Sequence, residues 1–168
     1  MEVGDWALLL LRVVVGLTLA AHGYNKFFGG GRIAGTARWF DSIGMRPGRR
    51  HATLAAGGEI GAGLALAAGI LTAPAAGGFV GLMAVAFWVA HRSKGFFVMN
   101  DGWEYTAVLA TVAVAVAMAG PGDISVDAVI GIADVLDGWV GLAISAGGGL
   151  GAATLLLAVF YRPPSPDA

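Results

Sequence analysis

Two imidazoles, two carboxylates and an ammonium stand in this chain where hydrocarbon is expected: His22, Lys26, Glu59, His91 and Glu104 fall within or at the ends of apolar stretches long enough to cross a bilayer. An unpaired charge is costly there, so such residues pair, face a protein interior or mark a ligand or proton path. Burial and neighbouring charge set the pKa of a carboxylate or an imidazole, which lets either one exchange protons near neutral pH. Glu59 and His22 are the candidate catalytic pair. Lys26, His91 and Glu104, with the aromatic side chains Trp39 and Trp103, are the candidate binding residues around them.

Composition says what must carry these groups. Of 168 residues, 57% are hydrophobic, 12% are charged and 28 are glycine, too little polar surface for a soluble domain of this size. The expected fold class is an all-α membrane protein. Five segments reach the ~20 apolar residues that a spanning helix needs: 6–28, 52–71, 73–90, 103–119 and 139–161. The first has no basic n-region or small-residue cleavage motif and is read as a retained helix. The 32–45 stretch sets Ile33, Trp39, Phe40 and Ile43 among Arg38, Asp41 and Arg46, the pattern of a short amphipathic helix on the membrane surface. Its basic residues suit lipid headgroups, and no nucleic-acid partner is expected. Gly57/Gly61, Gly77/Gly81 and Gly147/Gly151 are small residues four apart, which suits packing seams within one bundle or a face shared by two copies. The chain has no cysteine, which excludes disulfides, thiolate metal sites and thiol relays. No metal site is expected, and electron chemistry requires a bound carrier.

Charge is sorted along the chain. Nine of the ten Lys/Arg residues lie at the inner end of segment one (Lys26), between segments one and two, between three and four, or at Arg162; only Arg12 lies mid-helix. The positive-inside rule then places the N-terminus outside and the C-terminus inside. Arg12, Gly16, Gly23 and Lys26 share an arc of about 80° on the first helix, with His22 about 40° beyond Lys26. At 1.5 Å per residue His22 and Glu59 lie about 9 and 10.5 Å from the inner ends of their helices. Being level, they are expected to hydrogen-bond directly or through one water, in a pocket that opens to the inner leaflet and includes Lys26 or Glu104.

Each of these residues also has a plainer duty. His22 and Glu59 could simply stitch two helices together. Asp101-Gly102-Trp103-Glu104 reads as a variant capping box, His91 as an interfacial charge beside Arg92 and Lys94, Lys26 as a snorkelling side chain, and the aromatics as an interfacial belt. Arg12 points towards the outer half and needs a counter-charge. Asp127 or Asp123, after the Gly120-Pro121-Gly122 break, is expected to supply it. His22 and His91 differ in depth, so a bis-histidine haem is not expected.

Arg12 and Gly16 with His22-Gly23-Tyr24-Asn25-Lys26, Glu59 with Gly61 and Leu64, Met83 and Ala86, Gly102 with Glu104, and Gly120-Pro121-Gly122 with Ser125 and Asp127 form an ordered set. In that order and spacing the chain resembles the DoxX family of small bacterial integral membrane proteins, over roughly residues 6–130. The resemblance implies a four-helix transmembrane bundle at 1–130 in a bacterial plasma membrane. Residues 131–161 depart from that plan as an added fifth spanning helix, with 162–168 as a cytoplasmic tail. It also implies an oxidoreductase subunit linked to quinone, although a family does not fix a chemistry.

Two function classes follow. In one, the chain is a quinone-associated or redox-partner membrane subunit, with the quinone head near His22 and Glu59, which could donate the protons that quinone reduction consumes. In the other, the same pocket serves a lipid- or small-solute-binding protein, a proton-linked transporter, or an assembly subunit of a membrane complex. No inverted repeat or pair of broken helices supports a transporter. Expected partners are membrane lipids, redox or membrane subunits, and a second copy through the glycine-rich faces.

Overall fold

The computed structural model describes residues 2–163, and every named element among them is a helix. Residues 164–168 of the expected tail lie outside the described residues. α1 (Val3–Phe28), α3 (Gly48–Ala68), α4 (Thr72–Ala86) and α5 (Glu104–Ala119) pack as a bundle, with α2 (Arg32–Ser42) lying against α3. A π-turn at Phe87–His91 extends α4. After the four-residue α6 (Val126–Val129), α7 (Gly138–Leu142) runs through a second π-turn, Ala143–Gly148, into α8 (Gly149–Phe160). This C-terminal rod packs mainly on α4. The amphipathic helix expected at 32–45 is α2.

Three helical stretches, Val3–Phe28, Thr72–Lys94 and Gly138–Phe160, are long and apolar enough to cross a membrane, and α5 is a shorter apolar helix. The 52–71 segment forms the 21-residue α3, but Arg49, Arg50, His51 and Glu59 lower its apolarity. Two of these, His51 and Glu59, are buried. α3 thus turns His51 and Glu59 inward, while Arg49, Arg50, Leu54 and Leu64 are exposed.

Lipid tails are as apolar as leucine, so helix association rests on close packing more than on apolar transfer. Around the core of Leu19, Leu66, Phe79 and Val116, the tightest seam is α1 on α3. A methyl added at Gly16 would strike the carbonyl of Gly63, one at Gly63 would strike that of Gly16, and one at Gly23 would strike that of Ala56. The three expected glycine pairs divide differently. Gly77 and Gly81 face the C-terminal rod at Ile144 and Gly149, 3.0 and 3.2 Å from where their β-carbons would lie, whereas Gly57, Gly61, Gly147 and Gly151 face open space. Four-residue spacing marks a smooth face without naming its neighbour; the α1–α3 seam uses glycines seven apart.

Candidate functional site: a polar-ended cavity

The C-terminal end of α1, the start of α3, the π-turn of α4 and the start of α5 meet at one end of the bundle. They surround a cavity of about 740 Å³, which is walled on a further side by α8. Lys26 and Glu59 lie in its wall as an ion pair: the ammonium Nζ donates to both carboxylate oxygens, at 2.7 and 2.6 Å. Lys26 comes from the last turn of α1, where a cation also meets the negative end of the helix dipole. Gly23, one turn earlier, lets α3 approach closely enough for that contact.

His22 and His91 are in the wall as well. The Nδ1–H of His22 donates to the Thr18 carbonyl at 2.8 Å, and that of His91 to the Asp101 carbonyl at 2.6 Å. Fixing Nδ1 as the donor leaves Nε2 of each neutral ring as an acceptor. Tyr105 lies near His22, their rings 6.1 Å apart, and also lines the cavity. The remaining wall is largely apolar, with Trp39, Phe40, Met45 and Leu156 near the polar end and Pro74, Gly77 and Gly78 farther along. The space thus has a hydrogen-bonding end and an oily shaft.

Glu59, His22, Lys26, His91 and Trp39 therefore line one cavity, but one expected connection is not made. His22 turns back to its own helix and Lys26 takes both Glu59 oxygens, so the direct His22–Glu59 hydrogen bond is not formed. The ammonium wins because a charged pair is stronger than a carboxylate to a neutral imidazole. Glu104 and Trp103 are outside the wall among the described residues. Oε2 of Glu104 accepts the Val98 N–H at 3.0 Å, and Trp103 packs edge-on against Phe96 and Phe87, with ring centres 4.8 and 5.9 Å away. The Asp101–Glu104 capping box is replaced as well. Trp103 is the N-cap of α5, while the Asp101 carboxylate pairs with Lys94 at 3.0 Å. His51 was not singled out from sequence, where it looks like one more polar residue after Arg49 and Arg50. It is 6% exposed, lines the cavity and packs its ring edge-on to Phe160 at 4.9 Å.

At the opposite end Arg12 is completely buried. Its guanidinium donates to the carbonyls of Ala67, at 3.4 Å, and Ile124. The expected ion pair with Asp127 is replaced by a relay through the Gly69 turn. Asp127 accepts from the backbone N–H groups of Leu71 and Thr72, at 2.7 and 2.8 Å, and from the Thr72 hydroxyl at 2.7 Å, which caps α4. Its own N–H donates to the Gly69 carbonyl at 2.9 Å. Helix N-termini present free N–H groups that a carboxylate satisfies well, so Asp127 had a better offer than Arg12. The backbone N–H of Asp123 donates to Asp5 at 2.9 Å. Gly69 has φ +68°, and a β-carbon there would strike the Arg12 guanidinium. Glycine meets both demands.

No group of three or more His, Cys, Asp or Glu side chains among the described residues could hold a metal ion. Comparison with curated proteins and with solved structures finds no match to this chain. The DoxX family model matches residues 7–92, just over half of the sequence, from the start of α1 through the π-turn that carries His91. The matched stretch holds His22, Lys26, His51, Glu59 and His91, four of them foreseen; with the apolar helices, it shows that this chain is an integral membrane protein and belongs to the DoxX family.

Proposed function

We propose that the chain is a quinone-associated membrane subunit that holds the head group of a quinone at the Lys26 end of the cavity and its isoprenoid tail in the apolar shaft. The observation that carries this reading is the cavity's division into a hydrogen-bonding end and an oily remainder. Its volume falls in the range of small-molecule sites, about 300–1,000 Å³. Lys26 is the one Lys or Arg of the wall among the described residues, and Glu59 already neutralises it. That favours an uncharged head over a phosphate. The Nε2 atoms of His22 and His91 suit the hydroxyls of a quinol, and the Lys26–Glu59 pair and Tyr105 can pass protons to or from the ring oxygens. Electrons come from a partner subunit. The chain lies in a bacterial plasma membrane with its N-terminus outside and the Lys26 end on the cytoplasmic side, as the charge sorting requires.

The test is solvent extraction and mass spectrometry of the protein purified in a mild detergent. An isoprenoid quinone retained at about one per chain is expected for a single pocket. Phospholipid alone, or no small molecule, would overturn the reading; phospholipid alone would favour the lipid-binding alternative.

A further inference from the structure

α3 and the C-terminal rod both pack on α4 but, beyond the contact of Phe160 with His51, scarcely touch each other, so a groove runs between them with α4 as its floor. Pro74, Gly78, Leu82, Val85 and Val89 stand in the cavity wall at intervals of three or four residues, which puts them in one stripe along α4 and its π-turn. Ile144, Gly148, Ala152 and Leu156 form a matching stripe on the rod, and Leu54, Ala55 and Glu59 line the α3 side. The groove is open along its length: Leu54 is 67% exposed, and Pro74, Gly78, Gly148 and Ala152 are exposed as well, although all five line the cavity. The α4 stretch and the rod are each long and apolar enough to cross a membrane, so this opening meets hydrocarbon. From Pro74 to Val85 the floor is about 16 Å long at 1.5 Å per residue, about half the ~30 Å thickness of a bilayer core. A second cavity of about 470 Å³ shares Pro74, Gly78 and Leu82 with the first and continues over Gly58, Gly61 and Ala62 of α3.

We propose that the cavity opens sideways into the bilayer through this groove, and that its ligand is a long-chain quinone that enters from the membrane and lays its tail along the α4 stripe into the second cavity. The proposal rests on the quinone reading and deepens it by naming the route and the class: a lipid with an extended chain rather than a water-borne molecule. Two features of the groove select such a chain. It is continuous with the hydrogen-bonding end of the cavity, so one molecule can fill both. Its floor and rod side are cut back to Gly78, Gly148 and Ala152, which leave depth and offer no hydrogen-bonding side chain. A tail that passes from lipid into the groove exchanges one apolar surrounding for another, so entry by this side involves no unfavourable transfer into water.

The experiment uses the full chain in lipid nanodiscs and, as the probe, a benzoquinone that carries four isoprene units with a diazirine at the end of the tail. Light-induced labelling, mapped by peptide mass spectrometry, is expected within residues 54–62, 74–82 and 144–152, and excess unlabelled quinone should remove it. Gly148→Leu puts a side chain into the groove at a position where a β-carbon meets nothing within 4 Å. It is expected to lower quinone retention about tenfold, because it fills space that the bound chain needs, at an unchanged melting temperature. Gly78→Leu, whose β-carbon would lie in ordinary contact with that of Ala62 at 3.5 Å, is expected to do the same. Competed labelling confined to the bundle interior around Leu19 and Leu109, or wild-type retention in both variants, would overturn the side opening and leave the quinone reading standing. A dimer that Gly148→Leu breaks without loss of quinone would do so as well, since a second copy then covers the groove. Labelling of the wild type that unlabelled quinone does not compete away would overturn both.

Discussion

Lys26 and Glu59 are joined by both carboxylate oxygens, at 2.7 and 2.6 Å, across the α1–α3 seam, with side-chain exposures of 20% and 10%. The ammonium and the carboxylate cancel each other's charge in the wall of the cavity. The pairing also makes each partner dependent on the other.

Glu59→Gln should therefore destabilise the protein, because it leaves an ammonium without its counter-charge. Breaking a buried pair typically costs about 3–5 kcal/mol, and the partial exposure here puts the expected cost nearer 2 kcal/mol. Lys26→Met combined with Glu59→Gln should recover at least half of that loss in melting temperature. Equal melting temperatures for wild type and Glu59→Gln would show that the pair contributes nothing to the fold.

Gly69→Ala should cost more than 2 kcal/mol, since the substitution adds left-handed strain to a collision with the Arg12 guanidinium. Arg12→Ala leaves the Ala67 and Ile124 carbonyls without these donors and should also lower the folded yield. Because Asp127 has partners of its own, neutralising it as Asp127→Asn should add to the damage rather than relieve it. A double variant more stable than Arg12→Ala alone would restore the direct ion pair that the sequence suggested.

Glycines at the α1–α3 seam and on the open face of α3 make a matched contrast. Gly16→Val should abolish folded protein, as its side chain would push into the α3 backbone at Gly63 and Ala67. Gly57→Val points into open space and should leave a monomer unchanged in yield and melting temperature. If size-exclusion chromatography with light scattering finds the wild type dimeric and Gly57→Val monomeric, that face is where two copies meet.

Topology is tested by reporter fusions. Fusions after Arg50 and after Arg162 should report cytoplasm, and one between Gly122 and Asp137 should report the outside. The opposite result at all three would turn the Lys26 end of the cavity towards the outer face.

Most of the helical plan was legible because hydrophobic runs and charge sorting are properties of the sequence itself. Rise per residue is fixed, so counting puts His22 and Glu59 at one level, and the cavity wall holds His22, Lys26, Glu59, His91 and Trp39. What depth counting cannot give is azimuth. Lys26, one turn below His22, reaches Glu59, and nothing in residue spacing says which of two donors on one face will win. Asp127 likewise carried a readable charge, but its competing partner, the N-terminus of α4, exists only after the chain has folded. His51 was hidden by its neighbours: beside two arginines it looks like interfacial polarity, and only the return of α8 buries it.

The Asp127 network ties the far end of the molecule shut. One carboxylate fastens the segment after α5 to the turn between α3 and α4, and Arg12 adds a second fastening from α1 across the same turn. Four helices are thus bound at one extremity, while the other surrounds the cavity and carries the π-turn Phe87–His91, a break in the regular α-helical pattern. The base is therefore held by side chains reaching across the Gly69 turn, and from there to the cavity α1 and α3 are held by shape alone, through the glycine seam at Gly16, Gly23 and Gly63.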